Sequence, residues 1–334
     1  MQPKEFNAFR KEILALLWRQ WSALGIAGQT EKGAASLVDP EALLLCSLSL
    51  ARYDARLFDE IVDWLVINGA FINTQRLAAI QDTYSFSAGP QLSAIAEYLS
   101  HDKEFKLKWK RLSSRYESAS VQPLFFTVQG KPLPVGENKD EIFLSKNLIR
   151  NRLRTRELSS EFPRSGIPSL LLRLRALIGI SARCELLCIL AGTNAIHPAE
   201  AARLSAYNRK TMQNALSEMA SSGFIETYTN GRMLYYKLSQ SAFREIIPNQ
   251  TRWISWAPLY KGIEILWSGL QADTSDPLLL SSEYRRIAKE AKPFFEESKT
   301  GIVLTDPSRT TGEAYLKVFE DDLVRIVREI DHIV

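Results

Sequence analysis

At 334 residues the chain is longer than one ordinary domain and long enough for two or three hydrophobic cores. Its 46% apolar and 24% charged residues are those of an ordinary folded protein, and no apolar run approaches the roughly 18–20 residues that cross a bilayer. A net charge of +4 is modest, and three cysteines in a chain that opens Met1-Gln2-Pro3-Lys4-Glu5-Phe6, with no secretory signal, argue against a disulfide framework and for a cytoplasmic setting.

Phe6 to Leu24 predicts an amphipathic helix, with Phe6, Phe9 or Arg10, Ile13, Leu17 and Trp21 at helical spacing and a stop at Gly25. Asp39-Pro40-Glu41 starts a second helix running to about Ala51, and Asp54 caps a third from Ala55 to Asn68. On that third helix Leu57, Ile61, Trp64 and Leu65 form the core face, while Asp59, Glu60 and Asp63 read as a solvated carboxylate face. The order that follows, through Ala70-Phe71-Ile72, Thr74–Gln81 and Gly89–Ser100 to Lys106–Arg111, allows either a degenerate winged helix over 55–115 or a plain helical bundle. Residues 1–117 are thus an N-terminal helical domain. Pro123, Gly130, Pro132, Pro134 and Gly136 make 118–140 a linker, within which Val121 to Val128 allows a strand. Glu141 to Leu158 predicts a helix basic around much of its surface, and Ser169 caps a Leu-rich helix, 170–180, so 141–180 is a basic helical connector.

Residues 181–240 are the most informative. Cys184, Leu187, Cys188 and Ala191 share one apolar helix face, which makes both cysteines core rather than half of a metal site. Ala195-Ile196 is a strand-like link. His197-Pro198-Ala199-Glu200 opens a short helix with Pro at its first position and Glu200 placed to reach back to a free N–H. After a turn at 205–207, Asn208 caps a third helix on which Met212, Ala215, Leu216 and Met219 face inward. Arg209, Lys210, Gln213, Asn214 and Ser217 then face outward, with Thr211 in the first turn. These are the residue types that contact phosphates and base edges. Gly223 stops the helix, and two short strands flank Asn230-Gly231, read as a type I′ turn with Arg232 at its tip and Tyr235 and Tyr236 on the return.

On His197–Leu204, Asn208–Leu216 and Ser222–Ile225 with the hairpin after it, this segment resembles the winged helix-turn-helix transcription regulators of the MarR and ArsR kind, over less than a fifth of the chain. The resemblance implies a homodimer that lays its third helices in successive major grooves of double-stranded DNA, often releasing them on binding a ligand or metal. The wing is short and no His/Cys/Asp cluster suggests a metal site, so metal release does not carry over. More loosely, the whole chain is similar to a group of uncharacterised bacterial winged-helix proteins that begin with a Trp-rich helix and a segment like Asp39-Pro40-Glu41-Ala42-Leu43-Leu44.

Beyond residue 241 the chain reads as a C-terminal helical domain. Leu316, Phe319, Leu323, Ile326 and Ile330 give the last helix an a/d seam that serves either a dimer contact or an internal core. Charge is uneven: residues 103–115 and 146–183 are rich in Lys and Arg, and the ends are more acidic. A basic middle suits a polyanion partner, with Arg150, Arg154 and Arg183 as auxiliary phosphate contacts. The chain holds no Walker A loop, dinucleotide-binding glycine pattern, Gly-x-Ser-x-Gly elbow or zinc-protease helix, and three histidines leave little acid–base chemistry. The expectation is a mainly α, multi-domain, non-enzymatic DNA-binding repressor without cofactor. Its contacts are Asn208, Arg209, Lys210, Thr211, Gln213, Asn214, Ser217, Asn230, Arg232 and Tyr235. The alternatives are a winged helix that docks a protein partner, such as the neutralising half of a two-protein defence pair, and a binder of structured RNA.

Overall fold

The computed structural model describes residues 4–28, 34–103, 105–127, 129–239, 243, 246–248, 251–270, 274 and 276–333. Helices make up 58% of the chain and strands 7%, so the protein is mainly helical. In chain order the elements are α1 (Lys4–Ala23), α2 (Pro40–Leu50), α3 (Ala55–Asn68), α4 (Thr74–Tyr84), α5 (Gly89–Ser100), α6 (Lys106–Ser113), β1 (Gln122–Pro123), α7 (Glu141–Ser145) and β2 (Leu148–Ile149). There follow α8 (Leu170–Ile178), α9 (Ala182–Ala191), α10 (Pro198–Ser205), α11 (Arg209–Ser221), β3 (Ile225–Asn230), β4 (Met233–Leu238), α12 (Trp256–Gly269), α13 (Pro277–Ser298) and α14 (Ala314–Ile333). None of these helices is long and apolar enough to cross a membrane.

Two cores organise these elements. The larger gathers buried side chains from α1 through Leu153 and again from Ile254 to Ile330. At its centre lies α2, every residue of which is buried, including Glu41. A helix enclosed on all sides carries no amphipathic pattern, and α1, α4, α5 and α12 surround this one. The helices after residue 253 therefore pack into the N-terminal body. The seam on α14 is used internally: Phe319, Leu323, Ile326 and Ile330 are buried against α1 and α13, with Phe319 stacked on Tyr284 at 4.5 Å, and no dimer contact is left to that seam. The smaller core joins α8, α9, α10, α11, the base of the β3–β4 hairpin and Trp253. Gly192 allows the chain to pass close at this point, because a Cβ there would lie 2.7 Å from the Trp253 backbone nitrogen.

Several expectations are corrected. Among the described residues no strand lies between 55 and 115, so that block is a helical bundle without a second wing. The first part of the segment 118–140 is packed and not a free linker, whereas most of 129–139 is exposed. Gln122 and Pro123 pair in parallel with Leu148 and Ile149, Leu124 is fully buried, and Arg52 donates to the carbonyls of Pro123 and Leu124. The helix expected over 141–158 ends after five residues. Asp140 explains why: its carboxylate caps Ile142 and Phe143 and also accepts from the Leu153 N–H, folding the chain back on itself. Residues 146–158 then run without helix, with Asn147 and Glu157 at positive φ.

The carboxylates expected on a solvated face of α3 are inside or paired. Glu60 and Asp63 are 1% and 3% exposed. Asp63 accepts from the backbone N–H groups of Glu157, Leu158 and Ser159, each at 3.0 Å. Asp59 pairs with Arg150 at 2.8 Å and Glu60 with Arg156 at 3.3 Å. The basic run and the acidic N-terminal region thus neutralise each other across the fold.

Candidate nucleic-acid interface

The candidate surface is built from α10, α11 and the β3–β4 hairpin. His197 caps α10, its Nδ1 accepting from the Ala199 N–H at 3.3 Å, with Pro198 at the first position. Glu200 does not reach back to the helix start as expected; it takes Arg203 and Lys299 instead, which tie α10 to the end of α13. Ala206 adopts a left-handed conformation, φ 57°, to turn the chain, and Asn208 caps α11 by accepting from the Thr211 N–H at 2.8 Å. Ile196 exchanges two backbone hydrogen bonds with Tyr236, at 2.8 and 2.9 Å, and so adds a one-residue third strand beside β4.

On α11 the inward face is Met212, Ala215, Leu216 and Met219, all buried. Asn208, Arg209, Lys210, Gln213, Asn214 and Ser217 are exposed, and Thr211 is half-buried. Among the described residues, the side chains of Arg209, Lys210, Gln213, Asn214 and Arg232 make no hydrogen bond or ion pair within the chain. Arg209 and Lys210 stand in the first turn of α11, where the helix dipole and unpaired backbone N–H groups favour an anion, Gln213 and Asn214 follow one turn on, and Arg232 lies on the hairpin. The acidic C-terminal helices do not cover them.

The hairpin places Asn230 opposite Met233, so its two loop residues are Gly231 and Arg232. Only Gly231 has positive φ, 62°. That is the signature of a type II′ turn, with glycine first, and not of the type I′ turn expected from Asn230-Gly231, which requires positive φ at both central residues. Arg232 still lies at the tip, exposed, beside exposed Asn230. Tyr235 is half-buried: its ring stacks on Tyr228 at 5.5 Å and lies 5.7 Å from His197. Glu226 and Lys237 form an exposed pair at 2.8 Å lower on the hairpin.

The auxiliary arginines separate into three cases. Arg154 is exposed. Arg183 is exposed but pairs with Glu218 on α11. Arg150 is 3% exposed, pairs with Asp59 and lies over the rings of Phe58, Phe125 and Phe143, so it is not available to a phosphate.

What sequence reasoning missed is the mount on which this surface sits. Arg76 of α4 binds Asp39 at 2.5 Å, Glu41 at 2.7 Å and the Ser205 carbonyl at 2.7 Å. Arg175 of α8 binds Glu41 at 2.6 and 2.8 Å, Glu185 of α9 at 2.6 Å and the Phe71 carbonyl at 2.9 Å. Asn73 donates to the Tyr207 hydroxyl at 2.6 Å. The side chains of Arg76, Arg175, Asp39, Glu41 and Glu185 are at most 2% exposed. Burial pushes the Glu41 carboxyl up, but Arg175 and Arg76 outweigh it and hold its pKa at about 2. Burial, with Glu185 nearby, raises the Tyr207 phenol and keeps it protonated. Ser205 and Tyr207 immediately precede the Asn208 cap, so the network fixes where α11 begins. The one signal in the sequence was the motif Asp39-Pro40-Glu41, noticed as a helix start and assigned no chemistry.

Compared with known proteins, the chain matches no family model, no curated protein and no solved structure.

Proposed function

We propose that residues 182–239 form a winged helix that binds double-stranded DNA, with α11 in the major groove and Arg232 on the backbone, and that the protein regulates transcription. The observation that carries this reading is the outer face of α11. Arg209, Lys210, Gln213 and Asn214 are exposed and without partners among the described residues, on a helix capped by Asn208 and locked by four buried residues on its other side. Arg and Lys read guanine and Asn and Gln read adenine in the major groove, each good bidentate pair contributing about 1–3 kcal/mol of discrimination. The helix–helix–hairpin order, with Ile196 paired to β4, is the arrangement in which a wing lies beside a recognition helix.

A salt-series titration on the DNA upstream of the protein's own gene, against a scrambled duplex of equal length, tests the reading. Selective binding with a steep salt slope supports it, and Arg209→Ala with Lys210→Ala is expected to weaken selective binding by about tenfold or more while stability changes by under about 0.5 kcal/mol. Equal, weak binding to both duplexes sinks it. Docking of a protein partner is the second reading, favoured by one observation: the hairpin exposes Tyr228, Met233 and Leu234 at 45%, 49% and 40%. Homodimerisation remains part of the DNA proposal, through a surface other than the α14 seam.

A further inference from the structure

An open cavity of about 510 Å³ lies between α3, the turn at 69–71, the loop at 161–164 and α8. Its volume falls in the range of small-molecule sites. Five apolar side chains line it: Ile67, Phe71, Phe162, Ala176 and Leu177. Phe71 and Phe162 meet edge to face at 5.0 Å, while Ile67 and Leu177 are left 38% and 63% exposed. Two guanidiniums, Arg164 and Arg173, share the lining with one carboxylate, Glu161. Glu161 pairs with Arg164 at 3.1 Å, but both are exposed and such pairs are weak, so an incoming anion competes readily. Arg173 donates through Nη1 to the Gly166 carbonyl at 3.1 Å, and its remaining N–H groups take no partner among the described residues. The lining therefore combines apolar side chains with the Asn68 amide and an excess of positive charge, two guanidiniums to one carboxylate.

We infer that this cavity binds a small amphipathic anion, a carboxylate on an aromatic or branched apolar body, and that its occupancy is felt at α11. The cavity lies wholly outside residues 182–239. The route inward is short and physical. Phe71 lines the cavity with its ring and accepts from Arg175 through its carbonyl. Arg175 lies on α8 between Arg173 and Ala176, which both line the cavity, and bonds Glu185 of α9. Glu41 joins Arg175 to Arg76, and Arg76 holds the Ser205 carbonyl just before the α11 cap. A ligand that shifts Phe71 or α8 moves a buried, ion-paired network whose side chains are at most 2% exposed. The transmission half of the inference rests on the DNA-binding reading; the ligand half does not.

The probe is naphthalene-2-carboxylate, titrated into the full-length protein and followed by its own fluorescence, with naphthalene-2-carboxamide as the neutral control. The acid is expected to saturate one site and to bind about tenfold or more tighter than the amide, because a charge-assisted bond to guanidinium is stronger than a neutral one. Arg173→Gln is expected to bring the acid to the affinity of the amide. Ala176→Trp, which fills the cavity from the solvent-facing side of α8, is expected to abolish binding of both. Equal affinity for acid and amide, or acid binding unchanged by Ala176→Trp, overturns the site. In a second arm, saturating acid is expected to change affinity for the upstream duplex by about fivefold or more. A duplex affinity that is measurable and unchanged overturns the transmission and leaves the site standing. No duplex binding with or without the acid removes the DNA reading and the transmission together, and the first arm alone then decides the site.

Discussion

Two regions of this molecule use the same side chains in opposite ways. In the network of Asp39, Glu41, Arg76, Arg175 and Glu185, guanidiniums are buried and each charge faces its opposite at 2.5–2.8 Å. On α11 and the hairpin tip, Arg209, Lys210 and Arg232 stand in solvent with no partner among the described residues. The first arrangement locates an element and the second leaves charge to be met by something else. Count alone does not distinguish them: of the basic run between 146 and 183, Arg150 and Arg175 lie inside and Arg156 and Arg183 are paired. A cluster of cations in a sequence marks an external surface only where the fold supplies no carboxylates to answer it.

One substitution, arginine to alanine, breaks or sharpens this comparison according to where it is made. Arg175→Ala leaves Glu41 and Glu185 partly unanswered in a buried site, and a loss of about 3–5 kcal/mol is expected in chemical denaturation. A loss below about 1 kcal/mol would mean that water reaches the network and that it does not anchor the second core.

Acid tests the same site without a mutation. The folded pKa of Glu41, about 2, lies below its ordinary value of 4.5. Its contribution to stability is therefore fully present above about pH 4.5 and is lost as pH falls toward 2. Unfolding free energy measured from pH 6 down to pH 2 should fall through this window, and the Glu41→Gln protein, already destabilised, should fall less steeply. Parallel profiles for the two proteins would remove Glu41 as the source.

Arg150→Ala is expected to cost about 1–3 kcal/mol, less than Arg175, because Asp59 is 30% exposed and recovers water. Asn208→Ala removes the cap of α11 and should cost about 1 kcal/mol by the same denaturation assay. Arg232→Ala, at the hairpin tip, should leave stability within about 0.5 kcal/mol. On duplex DNA it should lower the slope of log affinity against log salt by about 1. An unchanged slope would take Arg232 off the backbone.

Much of the local structure was legible because its causes are local. Asp39, Asp54 and Asn208 cap their helices as their positions before apolar runs require, and Pro198 opens α10. The four buried residues of α11 follow from helical period alone. The hairpin was legible in its strands but not in its turn type, since Asn230-Gly231 sits one residue earlier in the register than a type I′ loop needs. The 141–158 helix failed because Asp140, which caps it, also takes the Leu153 N–H. No helix-period argument sees a bond thirteen residues away.

The sequence by itself determined most of the helices, the caps Asp39, Asp54 and Asn208, the inward face of α11 and the outward set Arg209, Lys210, Gln213, Asn214 and Ser217. These follow from backbone geometry and burial over a few turns. The cap of α8 was not among them, since Ser169 donates to the Pro163 and Ser165 carbonyls instead. Only the tertiary structure decided which charges are free. Glu41 and Arg175 stand 134 residues apart in the chain, and Asp63 and Ser159 stand 96 apart. An ion's role depends on whether an opposite charge reaches it before water does, and that is settled by distances in space that spacing along the chain does not contain.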